Sequence, residues 1–419
     1  MDANTDIKNW AGNIRFNSST VHYPETVDDL QAFVGESTTL KIQGTRHSFN
    51  RIADSKTALL SLEKMPNPIV LDKANQCVSV PGHMPYGELA LFLQKSGYAL
   101  HNLASLPHIS IAGACATGTH GSGISNGSLA TAVQRLEFVN GRGELISQDK
   151  GDAEFYGCVT GLGAIGIITR MHLKIMPSYE ISQLVYEDLP ISELEHNFDA
   201  IMSSAYSVSF FTNWQSDVIN QVWLKLKQDD YAAFDTEEFY GAQQATKDMH
   251  PIGSESSENC TLQMGVAGPW HERLPHFKMD YTPSWGEELQ TEYIIPREHA
   301  WTAIQTVATF REELAELLLI TEIRCIAADE FWLSPFYQQE SIAIHFTCKQ
   351  DWPVLEPLLL KIEDALAPFS PRPHWGKLFV MEPDSLKSRY PRLTDFQKLM
   401  KKHDPDGKFH NDFLLKYIH

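Results

Sequence analysis

Three segments in the second half of the chain alternate polar and apolar residues with a period of two. They are residues 289–295, 321–326 and 341–348. Such alternation is typical of β-strands with one buried face, and it predicts a sheet whose other face is polar. The polar face carries Gln290, Glu292, Glu322, Arg324, His345 and Thr347.

A polar sheet face of this composition has two interpretations. It can cover a hydroxyl-rich substrate, since each polar group needs a hydrogen-bond partner once water is excluded. It can equally face solvent, as one side of many antiparallel sheets does. The alternation alone leaves both interpretations open.

A short loop near the N-terminus separates two apolar runs and has the sequence Gly44-Thr45-Arg46-His47-Ser48-Phe49-Asn50. A glycine in such a turn allows backbone N–H groups to approach a phosphate, because no Cβ blocks the approach. Our hypothesis is that His47 is bonded covalently to a flavin. The alternative is a loop histidine that only hydrogen-bonds locally.

Residues 102–123 are poor in charge and rich in glycine, serine, threonine and alanine. This composition predicts a long irregular loop without a packed helix. Small residues with many N–H and hydroxyl donors suit a loop laid against a large planar or anionic ligand. A buried loop without a ligand is the alternative, although long irregular loops inside compact domains are usually functional.

Residues 161–166 match the G-x-G-x-x-G pattern of dinucleotide-binding folds. That pattern needs a helix directly after it, whereas residues 167–175 alternate as a strand does. We therefore predict that these glycines do not form a nicotinamide site. A nicotinamide-dependent enzyme remains a third functional alternative.

Other signals predict the remaining elements. A helix begins after the Thr26 cap and ends at Gly35, and a second spans residues 86–96. We predict one long helix over 297–318, another over 354–366, and mostly loop in the acidic segment 229–272. The tail at 390–413 is predicted to pack on the first part of the chain.

Charge and cysteine content exclude several classes of protein. The formal net charge of -19 would repel nucleic acid and an anionic membrane surface. No run approaches the roughly 18 apolar residues of a membrane span, and the first ten residues do not resemble a targeting signal, so we expect a cytoplasmic protein. The six cysteines are scattered without a C-x-x-C pair, which indicates reduced thiols and no metal site.

Several stretches together resemble the vanillyl-alcohol-oxidase family of FAD oxidoreductases, and within it the alditol (xylitol) oxidases. They run nearly end to end and in the expected order, and they are residues 44–50, 102–110, 116–123, 269–277, 322–324 and 372–377. The resemblance implies an α+β fold with a PCMH-type FAD-binding domain and a cap domain built on an antiparallel sheet. It implies an FAD-binding domain of residues 1–177 plus 378–419, and a cap of residues 178–377.

The resemblance also implies the roles of individual residues. FAD would be attached through His47 and contacted by Gly44, Thr45, Arg46, Ser48, Ser110, Gly113, Ala116, Thr117, Gly118, Thr119 and Ile167. The substrate would be bound by Ser105, Gln290, Glu322, Arg324, Thr347 and Lys377, with Arg324, Lys377, Glu322 and His345 as the catalytic groups.

The implied reaction is oxidation of the C1 hydroxyl of an alditol, with hydride transfer to the flavin and reoxidation by O2 to give hydrogen peroxide. Cations near the alcohol oxygen, for which Arg324 and Lys377 are the candidates, would stabilise the developing alkoxide. The expected partners are a small polyol and O2, in a monomer or weak oligomer. A sugar-1,4-lactone oxidase or dehydrogenase of the same family is the main alternative, and a carbohydrate-binding protein without the chemistry is another.

Overall fold

The computed structural model describes residues 6–66, 68–234, 238–280 and 287–419. A small parallel sheet contains Val21–His22, Leu59–Leu60 and Lys41–Ile42 in that order. The helix Val27–Glu36 connects its first two strands along the chain, and both halves of the predicted capping box between Thr26 and Asp29 are present. The 44–50 loop leaves this sheet directly after Ile42.

A five-stranded antiparallel sheet forms the rest of the N-terminal part. Its strands, in spatial order, are Val70–Asp72, Cys77–Pro81, Ile167–Lys174, Val133–Val139 and Leu145–Asp149. The central strand Ile167–Lys174 follows the glycine-rich turn 161–166 directly. The prediction of a strand at this point is confirmed, and the helix that a dinucleotide fingerprint needs is not there. Tyr98–Ala99 and Met176–Pro177 form a separate two-stranded ladder.

A nine-stranded sheet dominates the second half of the chain. Its strands are Glu180–Pro190, Ser207–Thr212, Val218–Lys227, Gln243–Gln244, Gly268–Pro269, Glu288–Pro296, Leu318–Ile326, Ser341–Lys349 and Arg372–Pro373. All of the pairings among them are antiparallel. The three strands with alternating sequence are neighbours, with Ser341–Lys349 between the other two.

Helices cover the apolar face of this large sheet. Tyr293 lies on the face opposite Gln290 and Glu292, and its hydroxyl donates to Glu363 of the helix Trp352–Leu366 at 2.7 Å. Ile323, Ile342 and Ile344 share that face and are fully buried. The α-helices described are Val27–Glu36, Tyr86–Lys95, Ile111–Ala116, Phe155–Val159, Leu194–Met202, Gln228–Ala233, Ala300–Ala308, Arg311–Ala315, Trp352–Leu366, Pro383–Lys387, Leu393–His403 and Asp412–Tyr417.

Two helix predictions are wrong. The predicted helix over 297–318 is broken into Ala300–Ala308 and Arg311–Ala315, because Thr309 turns its hydroxyl back to the Thr306 carbonyl at 2.7 Å and Phe310 leaves helical geometry. The 102–123 run was predicted to contain no helix, yet Ile111–Ala116 is helical. Alanine favours the helix, and its turns bury Ile111, Ala114 and Cys115.

The C-terminal tail returns to the N-terminal part, as predicted. The Lys408 carbonyl accepts a hydrogen bond from Leu40 at 2.8 Å, and the Lys408 ammonium donates to the Val34 carbonyl at 2.7 Å. Gly141 donates to the His403 carbonyl at 2.8 Å. These contacts join the tail to the N-terminal part, and the domain boundaries at 177 and 378 stay a prediction.

We expect Gly143→Ala to lower the unfolding temperature more than Gly97→Ala does. Both glycines have positive φ, of 77° and 82°, so each alanine costs about 1–2 kcal/mol in backbone conformation. At Gly143 the new Cβ would also lie 2.8 Å from the Gln31 carbonyl oxygen, whereas nothing lies within 4 Å at Gly97. Thermal unfolding of the two variants measures the difference, and equal shifts would show that the close approach to Gln31 is unimportant.

Candidate active site

A cavity of about 650 Å³ lies between the 44–50 loop and the polar face of the large sheet. Its volume is within the range of ligand pockets in proteins. The loops at 44–50, 104–120 and 161–166 form one wall, and the strands with alternating sequence form another. The polar face therefore lines an internal cavity, which removes the alternative that it simply faces solvent.

His47 is held with one ring nitrogen bonded and the other free. Its Nδ1 lies 3.0 Å from the Thr45 hydroxyl, and the ring stacks on Trp10 with centroids 5.2 Å apart. Nε2 is buried and has no hydrogen-bond partner among the described residues. Burial and the nearby Lys377 lower the pKa of His47 to about 4, so the ring is neutral at pH 7 and retains a lone pair.

The His47 loop is fastened to the segment that carries Lys377. Phe49 donates its backbone N–H to the Gly376 carbonyl at 2.7 Å. The Asn50 side chain donates to the carbonyls of Trp375 and Lys377 at 2.8 and 2.6 Å. The two segments are more than 320 residues apart in sequence, and these bonds fix Lys377 beside the loop.

Strand register brings the predicted substrate residues into one row. Gln290 pairs with Thr347, and His345 is flanked by Glu292 on one side and Glu322 on the other. Because paired residues of neighbouring strands point to the same face, all of these side chains meet in the cavity. The alternation predicted this grouping correctly.

Arg324 lies between two carboxylates at the centre of the row. Its Nη2 donates to Glu292 Oε1 at 2.6 Å, and its Nε is 3.5 Å from Glu322 Oε1. All three side chains are buried. Burial by itself would lower the pKa of Arg324, but the two carboxylates outweigh it and the pKa is raised, so the guanidinium stays charged.

Glu292 is the most heavily engaged carboxylate of the site. Besides Arg324, it has His120 Nε2 at 3.3 Å and His345 Nδ1 at 3.7 Å. Its burial favours protonation, yet His120 and Arg324 overcome that effect and hold the pKa of Glu292 well below its ordinary range. His120 Nδ1 lies 2.8 Å from the Gly121 carbonyl, which can only accept, so Nδ1 carries a proton. An imidazolium therefore fits the contact of Nε2 with Glu292.

Lys377 occupies the side of the row next to the His47 loop. Its ammonium donates to the Gln290 amide oxygen and lies 4.7 Å from the centre of the Phe49 ring. Burial lowers the pKa of Lys377 to about 8, and Glu292 and Glu288 limit the shift. A cation that can lose its charge near neutral pH thus stands between the loop and the polar strands.

Most of the predicted cofactor residues line the cavity. Those that do are Gly44, Thr45, Arg46, His47, Ser48, Ser110, Gly113, Ala116, Thr117 and Thr119. The structure does not place Gly118 and Ile167 in the lining: Gly118 packs against Pro335, and Ile167 is fully buried in a separate apolar cluster. Of the predicted substrate residues, Ser105, Gln290, Glu322, Arg324, His345, Thr347 and Lys377 all line it.

Sequence reasoning missed several polar residues of the site. Glu292 was placed on the polar face but given no role, while His120, His276 and His374 were not singled out, although all four line the cavity. His120 and His276 lie within stretches that carry the family resemblance, which was the available signal. The acidic segment 229–272, predicted as mostly loop, also reaches the cavity through His250 and Glu255.

Comparison with known proteins supports this arrangement. The chain is 43% identical to the alditol oxidase of Streptomyces sp. over 413 residues, which are 98% of each chain. The chain belongs to the alditol oxidase family. Members of this family are FAD-dependent oxidoreductases, and an FAD binding domain model matches residues 18–148.

Other relatives of this alditol oxidase family member are more distant. A D-arabinono-1,4-lactone oxidase model matches residues 282–417, and the L-gulono-1,4-lactone dehydrogenase of Mycobacterium tuberculosis is 22% identical over 98% of each chain. Cholesterol oxidase from Brevibacterium sterolicum superimposes with a TM-score of 0.80 at 15% identity, covering 99% of this chain and 96% of the other. The last similarity confirms the expected PCMH-type α+β fold.

The residues present fit FAD. The cavity contains a neutral histidine with an unpartnered buried nitrogen, and two of its lining glycines, Gly44 and Gly113, lie too close to the Ser110 hydroxyl to carry a side chain. At Gly44 a Cβ would lie 2.3 Å from the Ser110 hydroxyl oxygen. Within the described parts of the chain, no helix has the length and apolar character needed to cross a membrane.

We expect Glu292→Gln to destabilise the protein much more than Glu340→Gln. Both glutamates pair with an arginine, at 2.6 Å in Glu292–Arg324 and 2.5 Å in Glu340–Arg297. The first pair is buried, so removing its carboxylate leaves Arg324 with only the more distant Glu322, at a cost of up to about 3–5 kcal/mol. The second is largely exposed and should contribute about 0–1 kcal/mol. Unfolding temperatures test this, and similar shifts would contradict the central role of Glu292.

Proposed function

We propose that the protein oxidises the C1 hydroxyl of alditols such as xylitol and sorbitol to the aldose, with O2 as the electron acceptor. The alcohol carbon loses a hydride and its oxygen loses a proton, and O2 takes up two electrons and two protons to give hydrogen peroxide. The observation that carries the proposal is the row of buried polar side chains that faces the same cavity as His47. The similarity to an alditol oxidase supports it.

A polyol needs many hydrogen-bond partners in a site that excludes water, and the row supplies them. Ser105, Gln290 and Thr347 provide neutral donors and acceptors, and Glu322 provides an ionised acceptor. Burial by itself would raise the pKa of Glu322, but Arg324 and His276 outweigh it and lower the pKa, so the carboxylate stays charged. The substrate is thereby held with its terminal carbon toward the His47 loop.

Arg324 and Lys377 stabilise the negative charge that develops on the alcohol oxygen as its proton leaves. His345 takes up that proton: burial lowers its pKa, so the ring is neutral at pH 7 and can accept one. Bound FAD supplies the hydride acceptor. The 44–50 loop and the small residues from Ser110 to Thr119 would bind FAD.

We further propose that FAD is attached covalently to a ring nitrogen of His47. The support is its neutral ring, its unpartnered nitrogen and its fixed position against Trp10. After acid denaturation of the purified protein, the yellow colour should stay with the polypeptide. In His47→Ala the yellow colour should stay in solution when the denatured protein is pelleted. His108→Ala changes a second histidine of the same region, and there the colour should stay with the polypeptide. Colour released from the parent protein would contradict the covalent bond.

The pH profile tests the role of Lys377. Since its pKa is about 8, the ammonium is lost as the pH rises, so kcat/KM for the polyol should fall above about pH 8. Lys377→Arg keeps the positive charge, so its kcat/KM should not fall above pH 8. Lys377→Met should lower flavin reduction about 10²–10³-fold at pH 7 without releasing FAD. If kcat/KM of Lys377→Arg falls above pH 8 as it does in the parent, a group other than Lys377 causes the decrease.

A sugar-1,4-lactone oxidase or dehydrogenase is the second candidate, since a lactone oxidase model matches residues 282–417. Steady-state turnover of xylitol, sorbitol and an aldonolactone, with peroxide and dye reduction followed in parallel, separates the two. We expect efficient polyol oxidation with stoichiometric hydrogen peroxide. Preference for the lactone would overturn the proposed substrate, and dye reduction without peroxide would overturn the proposed acceptor.

A further inference from the structure

Behind the polar row, a buried lysine and histidine continue the hydrogen-bond chain away from the cavity. His276 Nε2 lies 2.8 Å from Glu322 Oε1, and His276 Nδ1 lies 3.2 Å from the ammonium of Lys225. Lys225 is 1% exposed and His276 is 5% exposed. The proposed reaction gives Lys225 no role, although a buried lysine is costly unless its protons are bonded.

The hydrogen bonds of Lys225 decide which nitrogen of His276 carries the proton. Its ammonium donates to the carbonyls of Leu274 and Pro275 and to His276 Nδ1, which accounts for all three of its protons. Burial lowers the pKa of Lys225 to about 7, so the ammonium is the main form below pH 7, and opposite that ammonium Nδ1 of His276 must be an acceptor without a proton. The proton of the neutral ring is then on Nε2, where it is donated to Glu322.

The surroundings of His276 keep the ring neutral. The charged groups that face it are Lys225 from the strand Val218–Lys227, and Glu322 and Arg324 from the strand Leu318–Ile326. Its ring contacts Phe211 and Trp223 edge to face. Cys260 interacts with Lys225, but burial raises the pKa of its thiol to about 12. Burial first, and Lys225 next, lower the pKa of His276 to about 4.

We propose that Lys225 and His276 are positioning residues that hold Glu322 ionised and oriented to accept a hydroxyl of the substrate. The donor from His276 and the more distant Nε of Arg324 both approach Oε1 of Glu322. Oε2 receives no hydrogen bond from the described residues and is left for the polyol. This inference rests on the proposed function, because it assigns Glu322 to the substrate.

Removal of Lys225 releases the constraint on His276. In Lys225→Met the ring can take a second proton and become an imidazolium beside Glu322, which weakens that carboxylate as an acceptor. KM for xylitol should then rise at least about tenfold as the pH is lowered from 6.5 to 5, a range in which Lys225 of the parent protein keeps its ammonium and KM of the parent changes little. The double variant Lys225→Met/His276→Gln cannot ionise at 276 and should lose this pH dependence.

Two single variants test the same point if Lys225→Met does not fold. Glutamine can accept from Lys225 through its oxygen and donate to Glu322 through its nitrogen, so His276→Gln should stay within about threefold of the parent KM. His276→Leu offers neither and should raise KM at least about tenfold. The proposal is overturned if His276→Gln and His276→Leu raise KM equally. It is also overturned if KM depends on pH in the same way in Lys225→Met and in the double variant.

Thermal unfolding distinguishes failure of this inference from failure of the proposed function, since it needs no substrate. In the parent, the folded-state pKa of His276 lies below its ordinary 6.5, so the ring destabilises the protein as the pH falls below 6.5, relative to His276→Gln. In Lys225→Met one of the two main causes that lower this pKa is removed, so the ring should destabilise the protein less at low pH, relative to the double variant, than it does in the parent. Equal destabilisation in both pairs would overturn the coupling between Lys225 and His276 even if polyols are good substrates.

Discussion

The buried contact between Arg324 and Glu292 is the interaction on which the rest of the site depends. Two charges inside a sheet are costly unless neighbouring polar groups compensate them. Here His120, His345 and Glu322 surround the pair. Strand register fixes His345 and Glu322, and the contact of its Nδ1 with the Gly121 carbonyl fixes His120. Charge balance in the sheet interior thus determines where a substrate can find ionised partners.

The two faces of the large sheet are buried in different ways. Its apolar face packs on helices through ordinary hydrophobic contact, with Ile323, Ile342 and Ile344 fully inaccessible. Its polar face is almost as inaccessible, but it is covered by the FAD-binding part of the chain instead of solvent. A polyol that binds exchanges water for donors and acceptors that are already in place. The side chains of the site are ordered when the protein folds, so binding does not have to order them again.

The sequence predicts the features that depend on neighbouring residues and misses those that depend on contacts between distant segments. Period-two alternation depends only on neighbouring residues, and it correctly grouped Gln290, Glu322, Arg324, His345 and Thr347. The break at Thr309 depends on one hydroxyl competing with the backbone, which the apolar periodicity of 297–318 conceals. His120 and His276 belong to the site because distant segments fold against the strands, which periodicity cannot predict; only the family resemblance of their stretches points to them. Boundaries between the two domains, and the contacts of FAD, stay predictions.

The bonds from Asn50 to Trp375 and Lys377 have a consequence for biosynthesis. The histidine loop emerges early during translation, but its partners are made more than 320 residues later. Contacts of such long sequence separation form late in folding, because closing the intervening chain is slow. The loop therefore reaches its final shape only after nearly the whole polypeptide has been synthesised.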